Sequence, residues 1–132
     1  MNTLLFHARC VTVENNEFGY VLGFADHERQ PQRYLQIQRS HADRPEDGES
    51  GMNTYYVEKD DQANSLYGGI EKVILREGSI DFTFNRSGCE RLGLQTEARI
   101  TFESDLAGFK ALKDGLNAVF RGSDTVCFGF GE

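Results

Sequence analysis

Residues 70–85, IEKVILREGSIDFTFN, decide how the rest of the chain is read. Val73, Leu75, Ile80, Phe82 and Phe84 alternate with polar neighbours at period two, the pattern of strands with one buried face. Between the two apolar runs stand Glu77 and Gly78, and the glycine supplies the positive φ that a two-residue turn needs. A turn at that point opposes Leu75 to Ile80 and Val73 to Phe82. All five apolar side chains then share one face, while Asp81 and Thr83 point away. Turn and alternation are independent signals, and both predict a hairpin.

Working outward, Asn85 caps a short helix through Cys89 and Leu92 that Gly93 stops. Ala98, Ile100 and Phe102 make another alternating strand. The period then lengthens: Leu106, Phe109, Leu112, Leu116, Val119 and Phe120 recur at three- and four-residue steps. Ser104 or Asp105 is the N-cap and Gly122 lies past the end, so the spacing predicts a helix of about four turns. Gly115 inside it costs roughly 1 kcal/mol relative to alanine, an amount that packing can override. In the tail, residues 121–132, Val126, Phe128 and Phe130 alternate with Cys127, Gly129 and Gly131. That pattern predicts a strand which either joins the parent sheet or pairs with another chain.

Toward the N-terminus, Leu4 to Val13 reads as one strand, paired through Glu14–Glu17 with the segment that follows. There Phe18, Tyr20, Leu22 and Phe24 put bulk on one face. Gly19, Val21, Gly23 and Ala25 leave the other face shallow, where a neighbouring element can approach closely. Leu35 with Ile37, and Tyr55 with Val57, mark two further short strands. The expected fold is α+β: a mostly antiparallel sheet of about six to seven strands, one long C-terminal helix on a face, and a short helix before the last strand. Residues 1–132 form a single domain on this reading, since no linker divides them.

Length and charge narrow the function. A folded chain of 132 residues exposes on the order of 7,000 Å² and supports one core. Hydrophobic residues at 39% and charged residues at 27% fit a globular domain. No apolar stretch approaches the ~20 residues of a membrane span. Lys and Arg number 14 against 21 Asp and Glu, a net charge of −7, which argues against nucleic acid and anionic membranes as partners. Cys10, Cys89 and Cys127 are odd in number and widely spaced, and no secretory signal precedes them. Free thiols in a reducing cytoplasm are expected.

Signatures of catalysis are sparse. The motifs GxSxG, HExxH, GxxxxGK[ST] and GxGxxG do not occur in the chain. His7, His27 and His41 lack the spacing of a metal site, and Asp60-Asp61 lacks the alternate-residue pattern of an EF-hand loop. Cys10, on a strand face with Phe6 and Ala8, reads as a small core thiol, and Cys89 beside Leu92 as core filler. Two loops carry more: Ser40–Asn53, long for a compact domain, and Asp60–Gly69. From Asp43 to Asp61 there are seven acids opposed only by Arg44 and Lys59, so this window holds −5 of the chain's −7. Such a window either keeps the protein soluble or attracts a basic partner, with Tyr55, Tyr56 and Tyr67 as aromatic anchors.

The ordered segments Leu35-Gln36-Ile37-Gln38-Arg39-Ser40, Tyr55-Tyr56-Val57-Glu58, Tyr67-Gly68-Gly69-Ile70-Glu71 and Arg91-Leu92-Gly93-Leu94, followed by the final helix, resemble the immunity protein 10 family of bacterial polymorphic toxin systems. The resemblance spans roughly residues 4–121 and leaves the Phe128-rich tail outside. It implies a cytoplasmic protein that binds and neutralises a cognate toxin, with no catalysis and no cofactor. A toxin acting on nucleic acid carries a basic cleft, which an acidic loop can steer toward itself. The expected contact residues are Asp43, Glu46, Asp47, Glu49, Tyr55, Tyr56, Glu58, Asp60, Asp61 and Tyr67. Arg39, Gly68, Gly69 and Glu71 are motif residues read as structural. Two alternatives stand beside this: a small enzyme using Cys89 or Cys10 with a histidine, and a structural or ligand-binding module that homodimerises through its tail strand.

Overall fold

Residues 70–85 form the expected hairpin with a two-residue connection at Glu77-Gly78, but Gly78 does not take the positive φ expected of it, so the turn is made without the left-handed conformation. Leu75 opposes Ile80 and Val73 opposes Phe82, and the pairing shifts only at the mouth, where Glu71 is an extra residue between Ile70 and Lys72. The computed structural model describes residues 3–17, 19–41, 54–93 and 96–122, together with the backbone of 126–128. Its elements are β1 (Thr3–Ala8), β2 (Cys10–Asn15), β3 (Gly19–Ala25), β4 (Tyr34–Ser40), β5 (Tyr56–Lys59), β6 (Asp61–Tyr67), β7 (Ile70–Arg76), β8 (Ser79–Phe84), α1 (Arg86–Arg91), β9 (Glu97–Phe102), α2 (Leu106–Val119) and β10 (Val126–Phe128).

The class is α+β and mostly antiparallel, but the described strands number ten and divide into two sheets of five rather than forming one of six or seven. The first sheet runs β1-β9-β8-β7-β10 and the second β2-β3-β4-β5-β6. Only the β1–β9 and β7–β10 pairings are parallel. Sequence reading merged β1 and β2 because a single residue, Arg9, separates them. The apolar alternation nevertheless slips there: Leu4, Phe6 and Ala8 face the core before the break, and Val11 and Val13 after it. Cys10 therefore does not share a face with Phe6 and Ala8. Asp61–Tyr67, expected as loop, is an edge strand whose one inward apolar side chain is Leu66. The tail takes the first of its two expected courses, since residues 126–128 pair with β7. As a result β9, which follows the short helix, is not the last strand.

One buried cluster joins both sheets and α2. Phe24 of β3 meets Phe82 and Phe102 of the first sheet, each at 6.1 Å between ring centroids. Leu22, two residues earlier on the same face, packs instead against α2, where a Cβ on Gly115 would lie 2.6 Å from its Cδ2. The inner face of the second sheet is thus shared between the first sheet and the helix. Asp105 caps α2, its carboxylate accepting from the Gly108 N–H at 2.7 Å. Leu112, Gly115, Leu116 and Val119 face inward. Leu106, expected on the apolar face, is 85% exposed because the first turn starts before the helix reaches the sheet. Asn85 caps α1 by accepting from the Gly88 N–H at 2.9 Å. Gly93 and Gly122 take positive φ just past the two helices, as the sequence predicts.

Two contacts lock the helices. Arg39, buried at the end of β4, donates from Nη1 to the carbonyls of Val119 (3.3 Å) and Arg121 (3.0 Å), and a cation at a helix C-terminus is favourable. Arg121 returns the contact, donating to the carbonyls of Ser40 (2.7 Å) and His41 (3.1 Å). At the other helix, Gly69, with φ of 97°, presents its carbonyl to the Asn85 N–H at 3.0 Å. Gly88 packs so closely on that peptide that a Cβ would lie 2.3 Å from the carbonyl oxygen.

Two glycine substitutions separate helix propensity from packing. Alanine gains about 1 kcal/mol inside a helix, yet at position 88 it meets backbone that has nowhere to go. Gly88→Ala is therefore expected to lose about 2 kcal/mol net, within the range for overpacking. Gly115→Ala, which meets side chains rather than backbone, Leu22 Cδ2 at 2.6 Å and Val13 Cγ1 at 3.3 Å, should lose less. Urea denaturation of both variants checks the order.

Candidate functional site

With the inner face of the second sheet covered, side chains of opposite parity form its outer face. The pairing aligns two rows across all five strands: Thr12, Gly23, Gln36, Glu58 and Ser65, and beside it Glu14, Val21, Gln38, Tyr56 and Tyr67. Cys10, Ala25 and Tyr34 form a shorter third row. No described element packs over these rows. Two hollows of about 610 and 350 Å³ lie along them, and both include Val21 and Glu58 in their walls.

Glu58 is the chemical centre of this face. Its carboxylate accepts from the Tyr34 hydroxyl on one oxygen and from the Tyr56 hydroxyl at 3.0 Å on the other. Burial, and then the bond to Glu58, push the Tyr34 hydroxyl well above its usual range. Burial also raises Tyr56, with the Ser65 contact opposing and Glu58 adding to the shift. Both phenols therefore stay protonated and keep donating. The Tyr56 and Tyr67 rings lie 5.3 Å apart, so the face offers an aromatic pair beside a tyrosine-clasped carboxylate.

The expected contact residues divide. Tyr56, Glu58 and Tyr67 come together here, with Tyr67 45% exposed. Asp61 is exposed at the start of β6, its carboxylate accepting from the Ala63 N–H at 2.8 Å. Tyr55 is not available as an anchor. It is only 3% exposed, its hydroxyl exchanges hydrogen bonds with both backbone groups of Ile70, and its ring meets Phe120 edge-on at 4.7 Å. Tyr55 and Tyr56 are adjacent on an extended chain, so only one of them can face outward.

Asp60 is likewise a folding residue. It has the one positive φ among described non-glycine residues, 62°, in the turn between β5 and β6. Its carboxylate takes the Tyr34 N–H at 2.9 Å, the ammonium of buried Lys59 at 3.0 Å and Arg33 at 2.8 Å. Asp43, Glu46, Asp47 and Glu49 lie outside the described residues. Of the motif residues, Arg39 holds α2, Gly69 seats α1, Gly68 has φ of 80°, and Glu71 is the exposed bulge residue.

Cys10 and Cys89 are free, half-buried thiols. Among the described residues no group of three or more His, Cys, Asp or Glu is gathered as for a metal ion, and no helix is long and apolar enough to cross a membrane. What sequence reading missed was the extent of the face. Its signal was present in the small outward residues of β3, but the strands that border them were not all recognised.

Fold and face together define a small two-sheet α+β protein with one broad, polar and aromatic sheet surface over which no described element packs. The chain matches the Immunity protein 10 family over residues 7–110 and belongs to it. The match starts in β1 and ends in the first half of α2. A comparison with curated proteins finds no match.

Asp60 makes the acid response specific. Burial opposes its ionisation, but the Tyr34 N–H, Lys59 and Arg33 outweigh that and hold its carboxyl below the usual carboxylate range. As pH falls the unfolded chain takes up this proton first. The stabilisation is therefore complete above the unfolded value of ~3.9 and is lost as pH drops through the folded one. Asp60→Asn tolerates the left-handed turn but leaves Lys59 without its counter-charge, a loss of about 3 kcal/mol at pH 7. Urea midpoints at pH 7 and pH 3 should show the gap from wild type closing at the lower pH.

Proposed function

We propose that this protein binds and neutralises a cognate bacterial toxin in the cytoplasm, and that it does so by occupation rather than by chemistry, without a cofactor. Membership of the Immunity protein 10 family is the observation that carries the reading. Tyr56, Glu58, Asp61 and Tyr67 supply the contact surface, joined by the acids of the segment linking β4 to β5: Asp43, Glu46, Asp47 and Glu49. Tyr55 and Asp60 are left out, being committed to the core and to an internal ion cluster.

The physical case rests on two features. Aromatic side chains with polar tips are the residues most often found at the energetic centre of an interface. A net charge of −7, of which −5 falls in the sequence window Asp43–Asp61, favours a basic toxin and speeds its approach. A standard interface takes about 800 Å² per partner, which one open sheet face can provide.

Co-expression with the toxin domain encoded beside this chain's gene tests the reading, with cell growth as readout and affinity of the purified pair as the second measure. Wild type should rescue growth. Tyr67→Ala, at an exposed position, should weaken binding at least tenfold with little effect on folding, equivalent to about 1.4 kcal/mol. Asp61→Lys should slow association and flatten its dependence on salt. A toxin that wild type neither binds nor inhibits at micromolar concentration would overturn the proposal.

A further inference from the structure

Gly23 stands in the middle of β3, paired on one side with Thr12 and on the other with Gln36, in ladders that run without a register shift. A glycine inside a strand weakens it and usually marks a bulge, a tight bend or the close approach of another backbone. The unbroken register excludes a bulge. No positive φ is present at Gly23. A Cβ built there would meet only the Thr12 side chain, at an ordinary 3.6 Å. Nothing among the described residues therefore requires a glycine at this position. Gly88 and Gly19 are the contrast, since a Cβ on either would run into backbone at 2.3 and 2.2 Å.

The surroundings of Gly23 have a consistent character. Val21 and Ala25, the next outward residues of β3, are also short, so the centre of the face is a trough between taller walls. Gln36, Tyr34 and Glu58 rise on one side, and Thr12 and Glu14 on the other. The charged groups in the rows are the carboxylates of Glu14 and Glu58, with no Lys, Arg or His among them. Arg33, at the nearby end of β4, is paired with Asp60.

We infer that the trough over Val21, Gly23 and Ala25 receives a Lys- or Arg-bearing backbone segment of the partner, laid close against β3 with its cation directed to Glu58 and Glu14. The inference rests on the toxin-binding reading and makes it more specific, moving the centre of contact from the acidic stretch to the middle of the sheet. Glu58 is prepared for a cation. Tyr34 and Tyr56 already orient its carboxylate, so less freedom is lost when the charge arrives. Gln36 and Gln38 provide amides that can bond to a main chain in either direction.

The test fills the trough without disturbing the fold. Gly23→Val places a β-branched side chain where there is room and where strands favour it, so its urea midpoint should equal or exceed that of wild type. Its affinity for the catalytically inactivated toxin domain encoded beside this chain's gene should fall at least tenfold. Gln36→Lys should weaken binding by a similar factor, whereas Gln36→Glu should preserve or tighten it. Leu5→Ala, exposed on the first sheet, should bind as wild type does. A folded Gly23→Val that binds the toxin normally would overturn the inference, as would equal effects of the two Gln36 substitutions. Sedimentation adds a further outcome: if Gly23→Val dissolves a dimer and leaves toxin affinity unchanged, the trough belongs to a second copy and the inference fails. Should Gly23→Val not fold, the opposed Gln36 pair still decides. Absence of any binding by wild type would count against the toxin-binding reading itself, a result distinct from all of these.

Discussion

The guanidinium of Arg39, closed over the C-terminus of α2, is the constraint on which the use of this fold depends. Strand β4 cannot leave that end of the helix, and Arg121 ties the helix back to the last carbonyls of β4 and to His41. With the helix fixed there, its Gly115 face lies on Leu22, and the first sheet covers the remainder of the inner face through Phe24. Two layers of different kind then occupy one side of the second sheet. The opposite side is the one left without a described partner. A buried cation is a costly way to join two elements unless it finds acceptors, and here Nη1 meets the carbonyls of Val119 and Arg121, which a helix terminus otherwise leaves open.

The same principle sorts the negative charge. Counted along the chain, the acids near residue 60 are equivalent. In the fold they fall into two groups. Asp60 is consumed by Lys59, Arg33 and a backbone N–H, much as Asp81 on the first sheet is held by Arg76 and Arg99. These carboxylates stabilise turns and strands and contribute little to an outward field. Glu58 differs because its partners are neutral phenols, so its charge is oriented without being cancelled. Net charge alone is thus a poor guide to where a cation binds, and the partner of each carboxylate is the better one.

Much of this was legible in the chain. The hairpin register followed from Glu77-Gly78, both helices began at the side chains that cap them, and β9 and α2 declared themselves by period. The division into two sheets was not recognised, because the switch takes one residue and its trace is a slip in alternation from Ala8 to Val11. β6 was missed for a different reason: an edge strand with a single inward apolar residue has almost no periodicity to read. Tyr55 was misplaced because adjacent tyrosines carry the same chemical signal, and only the parity fixed by Val57 separates them. Each failure concerns tertiary assignment of a residue whose local pattern was ambiguous.

Gly23 shows how the two levels combine. Its place on a shallow strand face was visible in the sequence, but a shallow face has two explanations: another element of the same chain packs there, or something else does. The helix and the first sheet take the bulky face of β3, with Leu22 and Phe24 as their contacts, so the described elements do not use the shallow one. A strand that accepts the weakness of a central glycine, on a face where no described residue needs one, is where the proposed approach from outside is made. The fold can tolerate that weakness because β3 is held on both edges by full-length antiparallel pairing and beneath by the core. The most over-determined strand of the sheet is therefore the one that can yield its outer surface to a partner.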